Sequence, residues 1–362
     1  MDRRKFIGLT FGATVAAQKL SSAPFKTMKT ANLVQQALLP PFKLEGSLLA
    51  NGLTEGSVVA ITAPASPTTL GEIKSCINFY KKFGCKVEIG STITNTRWEY
   101  RYFSAPDDDR ANEFNSLIAR TDVDAIICAR GGYGTMRILP LLDFSPLLIK
   151  PKIIMGFSDI TALLIAINKK TNLTCFHGPV GISNYDQFTT DYLKKLILNN
   201  KEFTPIKIKH PSIQVMNKGK ATGRLIGGNL SMLVSTLGTA FEIDTKDSIL
   251  FIEEVSEHPY KIDRMLTQLW LAGKFDSCCA IIFGQFASLD SKKPFQYSGS
   301  FTLRQVFEYR VKELGIPAII GLPIGHEKSQ IPLPIGTLAE LDTNTKTLTI
   351  LESSVTEKTI KV

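Results

Sequence analysis

Within Lys152–Lys169 a short apolar strand breaks at Gly156-Phe157-Ser158-Asp159 directly into an apolar helix. A serine on such a turn exposes its hydroxyl, and the helix N-terminus offers oriented N–H groups to a developing negative charge, which is hydrolase chemistry. The stricter nucleophile elbow carries a second glycine two residues after the serine, where this chain has Ile160. Ser158 and Asp159 are also favoured residue types for simply capping the helix.

A serine nucleophile needs a base to take its proton and a carboxylate to hold that base in one tautomer. The chain has four histidines. His210 reads as a solvated residue of a polar linker, and His258 as a helix cap before Pro259. His177, ahead of Gly178-Pro179 at a strand end, either lines a pocket or satisfies a turn. His326 is preferred as the base, because Gly321-Leu322-Pro323-Ile324-Gly325 places it in a loop just after an apolar strand. For the acid, Glu253 and Glu254 end the strand Ile249–Ile252, and alternation sends one inward and the other outward. An inward carboxylate is costly unless paired, and a histidine would pair it. Gly131-Gly132, after Arg130, is too short for a dinucleotide fingerprint and lacks a phosphate-binding lysine. Its glycines permit backbone N–H groups to approach an oxyanion closely.

The elements that must position these residues alternate in the first half of the chain. Ser57–Thr62, Lys86–Ile89 and Ala125–Ala129 read as strands, and Leu70–Phe83 and the segment capped by Asp107 as helices. That alternation specifies a parallel sheet covered by helices on both faces, with ligands gathering at the carboxyl ends of the strands. The Arg130–Thr135 loop and the Ser158 turn both lie at such ends. A Lys- and Asn-rich stretch, 185–220, reads as a linker. Beyond it come a helix over 230–237, a strand over 248–255, an amphipathic helix over 259–272, a strand over 278–286, a helix over 303–314 and a hairpin around Asn344. The expected division is therefore 1–45 leader, 46–190 N-terminal α/β domain, 191–218 linker and 219–362 C-terminal domain, the last with more antiparallel character.

The N-terminus carries Asp2-Arg3-Arg4-Lys5-Phe6-Ile7 before an apolar stretch over 6–17, which is too short to span a bilayer and reads as a twin-arginine export signal. The expected location is the periplasm or cell envelope, with no stable membrane insertion after signal removal; without export the protein would act in the cytoplasm. The net charge of +9 is spread over scattered lysines without an aromatic-interleaved stripe, so no nucleic-acid partner is expected. Cys128 and Cys278-Cys279 sit in apolar runs, no C-x-x-C spacing occurs, and neither a metal site nor an essential disulfide is expected.

Taken in chain order, VVAITAPAS at 58–66, Tyr102–Arg110, ARGGYGTMRILPLLD at 129–143, GFSDITALL at 156–164, His177-Gly178-Pro179, GGNLSML, LFIEEVSEHPYKIDRML and GLPIGH form a specific set. With them the sequence resembles the LD-carboxypeptidases, the muramoyltetrapeptide carboxypeptidase family of serine peptidases. The resemblance implies a Ser158–Glu253–His326 triad, with an oxyanion hole from the backbone of Asp159 and of Gly131 or Gly132. It further implies an N-terminal domain related to class I amidotransferases, a swivelling C-terminal α/β domain, a homodimer and no cofactor. The implied reaction is removal of the terminal D-alanine of a peptidoglycan tetrapeptide through an acyl-enzyme. The competing readings are a microcin-immunity-type peptidase acting on other peptide conjugates, discriminated by residues 287–300, and a non-catalytic muropeptide-binding protein. Arg130 is the candidate partner for the substrate's free carboxylate, by charge and position.

Overall fold

The computed structural model describes residues 46–96, 98–100, 102–198, 202–287 and 301–356. The expected leader and nearly all of the expected specificity segment 287–300 lie outside the described residues. Six strand segments build the first sheet: β1 (Val58–Thr62), β2 (Lys86–Ile89), β3 (Val123–Cys128), β4 (Ile153–Gly156), β5 (Cys175–His177) and, from much later in the chain, β12 (Leu333–Ile335); all but the edge strand β2 are largely buried. Their order is β12-β5-β4-β3-β1-β2, parallel throughout except for antiparallel β12. All six residues of β3 are buried, as a central parallel strand covered on both faces requires. Helices α1 (Lys74–Lys82), α2 (Ser91–Thr94), α3 (Asp107–Ala119), α4 (Thr135–Ile138), α5 (Pro146–Ile149) and α6 (Ile160–Thr171) complete the alternation. Helix α6 is apolar around almost its whole circumference, because it lies between the two sheets. It stops at Asn172, which takes the left-handed conformation of a C-cap (φ 57°).

The stretch expected as linker is structured. It forms α7 (Gln187–Ile197), whose N-cap Asp186 accepts from the Thr189 N–H, and the strands β6 (Ile206–Ile208) and β7 (Gln214–Asn217). Both strands are edges of the second sheet, where one side faces water and lysine and glutamine are tolerated, so their composition imitates a linker. His210 is accordingly half-buried and hydrogen-bonded to the Ser212 hydroxyl, which donates to the Gly321 carbonyl (2.5 Å).

The second sheet comprises β8 (Lys220–Asn229), β9 (Ser248–Val255), β10 (Ala280–Ala287), β11 (Ala318–Leu322), β13 (Leu338–Asp342) and β14 (Thr347–Ile350) with β6 and β7, in the order β6-β14-β13-β8-β9-β10-β11-β7. Its centre, β8 to β11, is parallel and its flanks are antiparallel; β13 and β14 are the hairpin expected around Asn344. Helices α8 (Leu230–Ser235), α9 (Pro259–Leu271) and α10 (Leu303–Lys312) complete this layer. A buried apolar cluster runs continuously from β3, β4 and α6 into β8–β11, so the two sheets share one core.

Candidate active site

Strand β4 ends at Gly156, and the next residues form the elbow. Ser158 has φ 63°, a left-handed conformation a serine adopts only when its surroundings enforce it. A Cβ on Gly156 would stand 2.7 Å from Ile160 Cγ2. The first glycine of the motif therefore makes room for the isoleucine that replaces the second. Gly131 approaches from the neighbouring loop so closely that a Cβ there would sit 2.7 Å from Ser158 Cβ. Gly132 (φ 104°) packs on Ser66, whose hydroxyl donates to the Tyr102 carbonyl (2.9 Å) and accepts from the Tyr133 N–H (3.2 Å).

Asp159 does not cap α6 with its side chain. Its carboxylate accepts from the Thr135 N–H (2.8 Å), while the Thr135 hydroxyl donates to the Asp159 carbonyl (2.6 Å), and burial pushes the carboxyl's pKa up. The elbow and the glycine loop are thus clamped together by two hydrogen bonds. Asp107 is a first-turn residue of α3, after N-cap Pro106, and its carboxylate pairs with Arg110 and Arg137 instead of capping.

Glu253 and Glu254 are both buried, contrary to the expected alternation of one in and one out. Alternation does hold, but both faces of β9 are covered. Glu254 accepts from Asn229 Nδ2 (3.0 Å) and from the Ser231 N–H (2.8 Å) and hydroxyl (2.7 Å), bracing the first turn of α8. Glu253 faces the other way, and its Oε2 lies 2.7 Å from Nδ1 of His326. Gly325 (φ 81°) lets the His326 loop pass over the acid, since a Cβ there would meet Glu253 Oε2 at 2.2 Å. The carboxylate is 0 % exposed and the His326 side chain 19 %, so the acid is sealed and the imidazole reaches the surface. Burial alone would raise the Glu253 pKa, but the imidazoles of His177 and His326 outweigh it and bring it from 4.5 down to about 2.

His326 packs edge-on against Phe157, the residue before Ser158, with ring centroids 4.9 Å apart. A proton on Nδ1 shared with Glu253 leaves Nε2 as a lone-pair acceptor, the tautomer a serine base requires. Ser158 and His326 follow the carboxyl ends of parallel strands, β4 and β11, and Glu253 lies within β9, near its carboxyl end. Arg130 follows β3; its side chain is 43 % exposed, with Nη1 4.0 Å from Glu72 Oε1, leaving the guanidinium accessible to solvent. The exposed rings of Tyr102, ahead of α3, and of Tyr133, in the glycine loop, stand 5.9 Å apart. His258 is the N-cap of α9 by position without a side-chain cap bond, and its ring stacks on Tyr260.

His177 neither makes a turn nor lines an open pocket. It is fully buried, with Nε2 3.6 Å from Glu253 Oε1. Its place behind the acid had no signal in the sequence beyond its neighbours Gly178-Pro179.

The sequence patterns of the LD-carboxypeptidase N-terminal and C-terminal domains match residues 59–178 and 222–341. The chain belongs to the LD-carboxypeptidase family. As a member it is a serine-type peptidase, a hydrolase. It is 38 % identical over 314 residues to the probable murein peptide carboxypeptidase of Bacillus subtilis, covering 85 % of this chain and 96 % of that protein. Among solved structures it is similar to the microcin C7 self-immunity protein MccF (TM-score 0.76, 26 % identity, 85 % of this chain and 100 % of that one). It is similar also to the muramoyltetrapeptide carboxypeptidase of Oxalobacter formigenes (TM-score 0.71, 28 % identity, 82 % and 99 %).

Proposed function

We propose that this LD-carboxypeptidase family member removes the terminal D-alanine from muramoyl tetrapeptides, with Ser158 as nucleophile, His326 as base and Glu253 as the acid that orients it. The observation that carries the proposal is the 2.7 Å contact of the sealed Glu253 with His326 Nδ1, beside a serine held at φ 63°. Ser158 Oγ attacks the carbonyl before the terminal residue while His326 Nε2 accepts its proton. The N–H groups of Asp159 and of Gly131 or Gly132 hold the oxyanion. His326 then returns the proton to the departing amine, and water hydrolyses the acyl-enzyme by the same route. Arg130 is assigned to the free terminal carboxylate. The Bacillus subtilis and Oxalobacter relatives, named for murein substrates, support this substrate class.

The deciding assay incubates the protein with a disaccharide tetrapeptide and measures free D-alanine, beside Ser158→Ala. Release by wild type and its loss in the variant are expected, and equal release by both would remove Ser158 from the mechanism. MccF, solved in complex with aspartyl sulfamoyl adenosine, favours a second reading in which an aminoacyl–nucleotide conjugate is cleaved; a conjugate of that kind in the same assay tests it. The same proposal carries the homodimer and export by the twin-arginine route. Changing Arg3 and Arg4 to lysine should hold the precursor in the cytoplasm, and unchanged export would refute that part.

A further inference from the structure

His177 and Glu253 Oε1 share an unusual condition. Among the described residues both ring nitrogens of His177, and Oε1 of Glu253, are buried without a hydrogen-bond partner. Both side chains are 0 % exposed, and their nearest polar atoms, Nε2 and Oε1, are 3.6 Å apart. A buried imidazole with nothing to bond is unfavourable, and an apolar side chain would fill the space at less cost. The separation exceeds a hydrogen bond by roughly half an ångström, the kind of slack that catalytic bonds show before substrate tightens them.

The histidine is also held very firmly. In β5 it pairs with Gly156 of β4, two residues before Ser158, and with Leu333 of β12. Its ring contacts those of Phe157 (centroids 6.1 Å apart) and Phe251 (5.3 Å). Its contact with Glu253 therefore ties the sheet that carries the nucleophile to the sheet that carries the acid.

We propose that His177 is a positioning residue for the triad. From the sealed side its Nε2–H holds Oε1 of Glu253, so that the carboxylate is gripped by two imidazoles and presents Oε2 to His326. This rests on the Ser158 mechanism above. The titratable groups facing the carboxylate are His326 and His177. Glu327, half-buried beside His326, is the next acid outward, and its carboxyl is pushed up by burial. Glu254 points to the opposite face, toward Asn229 and Ser231. From the flanking strands β8 presents Asn229 and β10 presents Phe283 and Phe286 opposite this end of β9.

A donor to the anionic Glu253–His326 pair makes that pair harder to protonate, so removing the donor moves the acid limb of activity to higher pH. The test measures the rate at which a fluorophosphonate labels Ser158, across pH, in wild type, His177→Leu and His177→Gln. The leucine variant is expected to label about 10- to 100-fold more slowly, as for loss of a hydrogen bond to a charged group. Its acid limb should move up by about one pH unit. Glutamine, whose amide N–H can take the place of Nε2–H, should recover most of both effects. With tetrapeptide the leucine variant should lose kcat and keep its KM.

A folded His177→Leu with an unmoved acid limb, or a glutamine variant as impaired as leucine, overturns the proposal. Should neither variant fold, 15N-histidine NMR of the wild-type protein decides. A proton on His177 Nε2 whose signal shifts in Glu253→Gln supports the role, and a bare Nε2 overturns it. Labelling of Ser158 without D-alanine release would remove the substrate assignment and leave the His177 test standing. No labelling of wild type at all would overturn both the nucleophile and the role of His177.

Discussion

Glu253 is pulled two ways. Removal from water favours its neutral form, while His177 and His326 favour the carboxylate, and the net result is a pKa lowered from 4.5 to about 2. A depressed acid contributes stability that is fully present above its unfolded value and is lost as pH falls through its folded value. The stabilising window for Glu253 therefore lies above 4.5 and closes toward about 2. In thermal melts Glu253→Gln should fall short of wild type by its widest margin above about pH 5, and the gap should narrow below about pH 4. A gap that stays constant across that range would mean the acid's charge state does not contribute to stability.

Among the elements, the loops around the elbow are tied together by one buried cation. Arg110 in α3 donates from Nε to the Ala105 carbonyl (3.0 Å) and from Nη1 to the Gly134 carbonyl (3.0 Å) and the Pro64 carbonyl, besides pairing with Asp107. It joins the loop after β1 to the start of α3 and the glycine loop before α4. Arg110→Met keeps the bulk and leaves these carbonyls buried without a donor. We expect a loss of about 3 kcal/mol, read from the urea midpoint, since each buried acceptor left without a donor costs about 1–3 kcal/mol and three carbonyls lose theirs. A loss under about 1 kcal/mol would show that water replaces the guanidinium.

At the scale of the molecule, Ser158 follows the first sheet and the Glu253–His326 pair belongs to the second, so the proposed mechanism depends on the contact between sheets. Thr161 in the first turn of α6 accepts from the Asn229 N–H (3.1 Å), and Gly228 (φ 145°) is so close that a Cβ would lie 2.4 Å from Thr161 Cγ2. Gly228→Ala should displace α6, the helix that follows the proposed nucleophile, from β8. A misplacement of about 1 Å can cost on the order of 100-fold, so kcat should fall by that order with the fold retained. Wild-type kcat in a folded variant would show that the sheets accommodate the methyl group without disturbing the site.

Much of this was legible in the sequence, because strand alternation, helical periodicity and turn residues are local. The elbow at Ser158, the strand carrying Glu253, the loop of His326 and the hairpin around Asn344 all follow from neighbours in the chain. What is covered by a second layer cannot be read that way. Sequence alternation placed one of Glu253 and Glu254 outside; the packing of β9 on both faces put both inside. The polar edge strands β6 and β7 looked like linker, and the short proline-containing β12 joins a sheet whose other strands lie far away in the chain. The sequence by itself determined the serine, acid and histidine side chains proposed for the site and the local turns that display them. The tertiary structure alone decided that His177 stands behind Glu253 and that the serine's elbow meets the acid's sheet. Those contacts depend on register and interlayer packing between segments that share no local pattern.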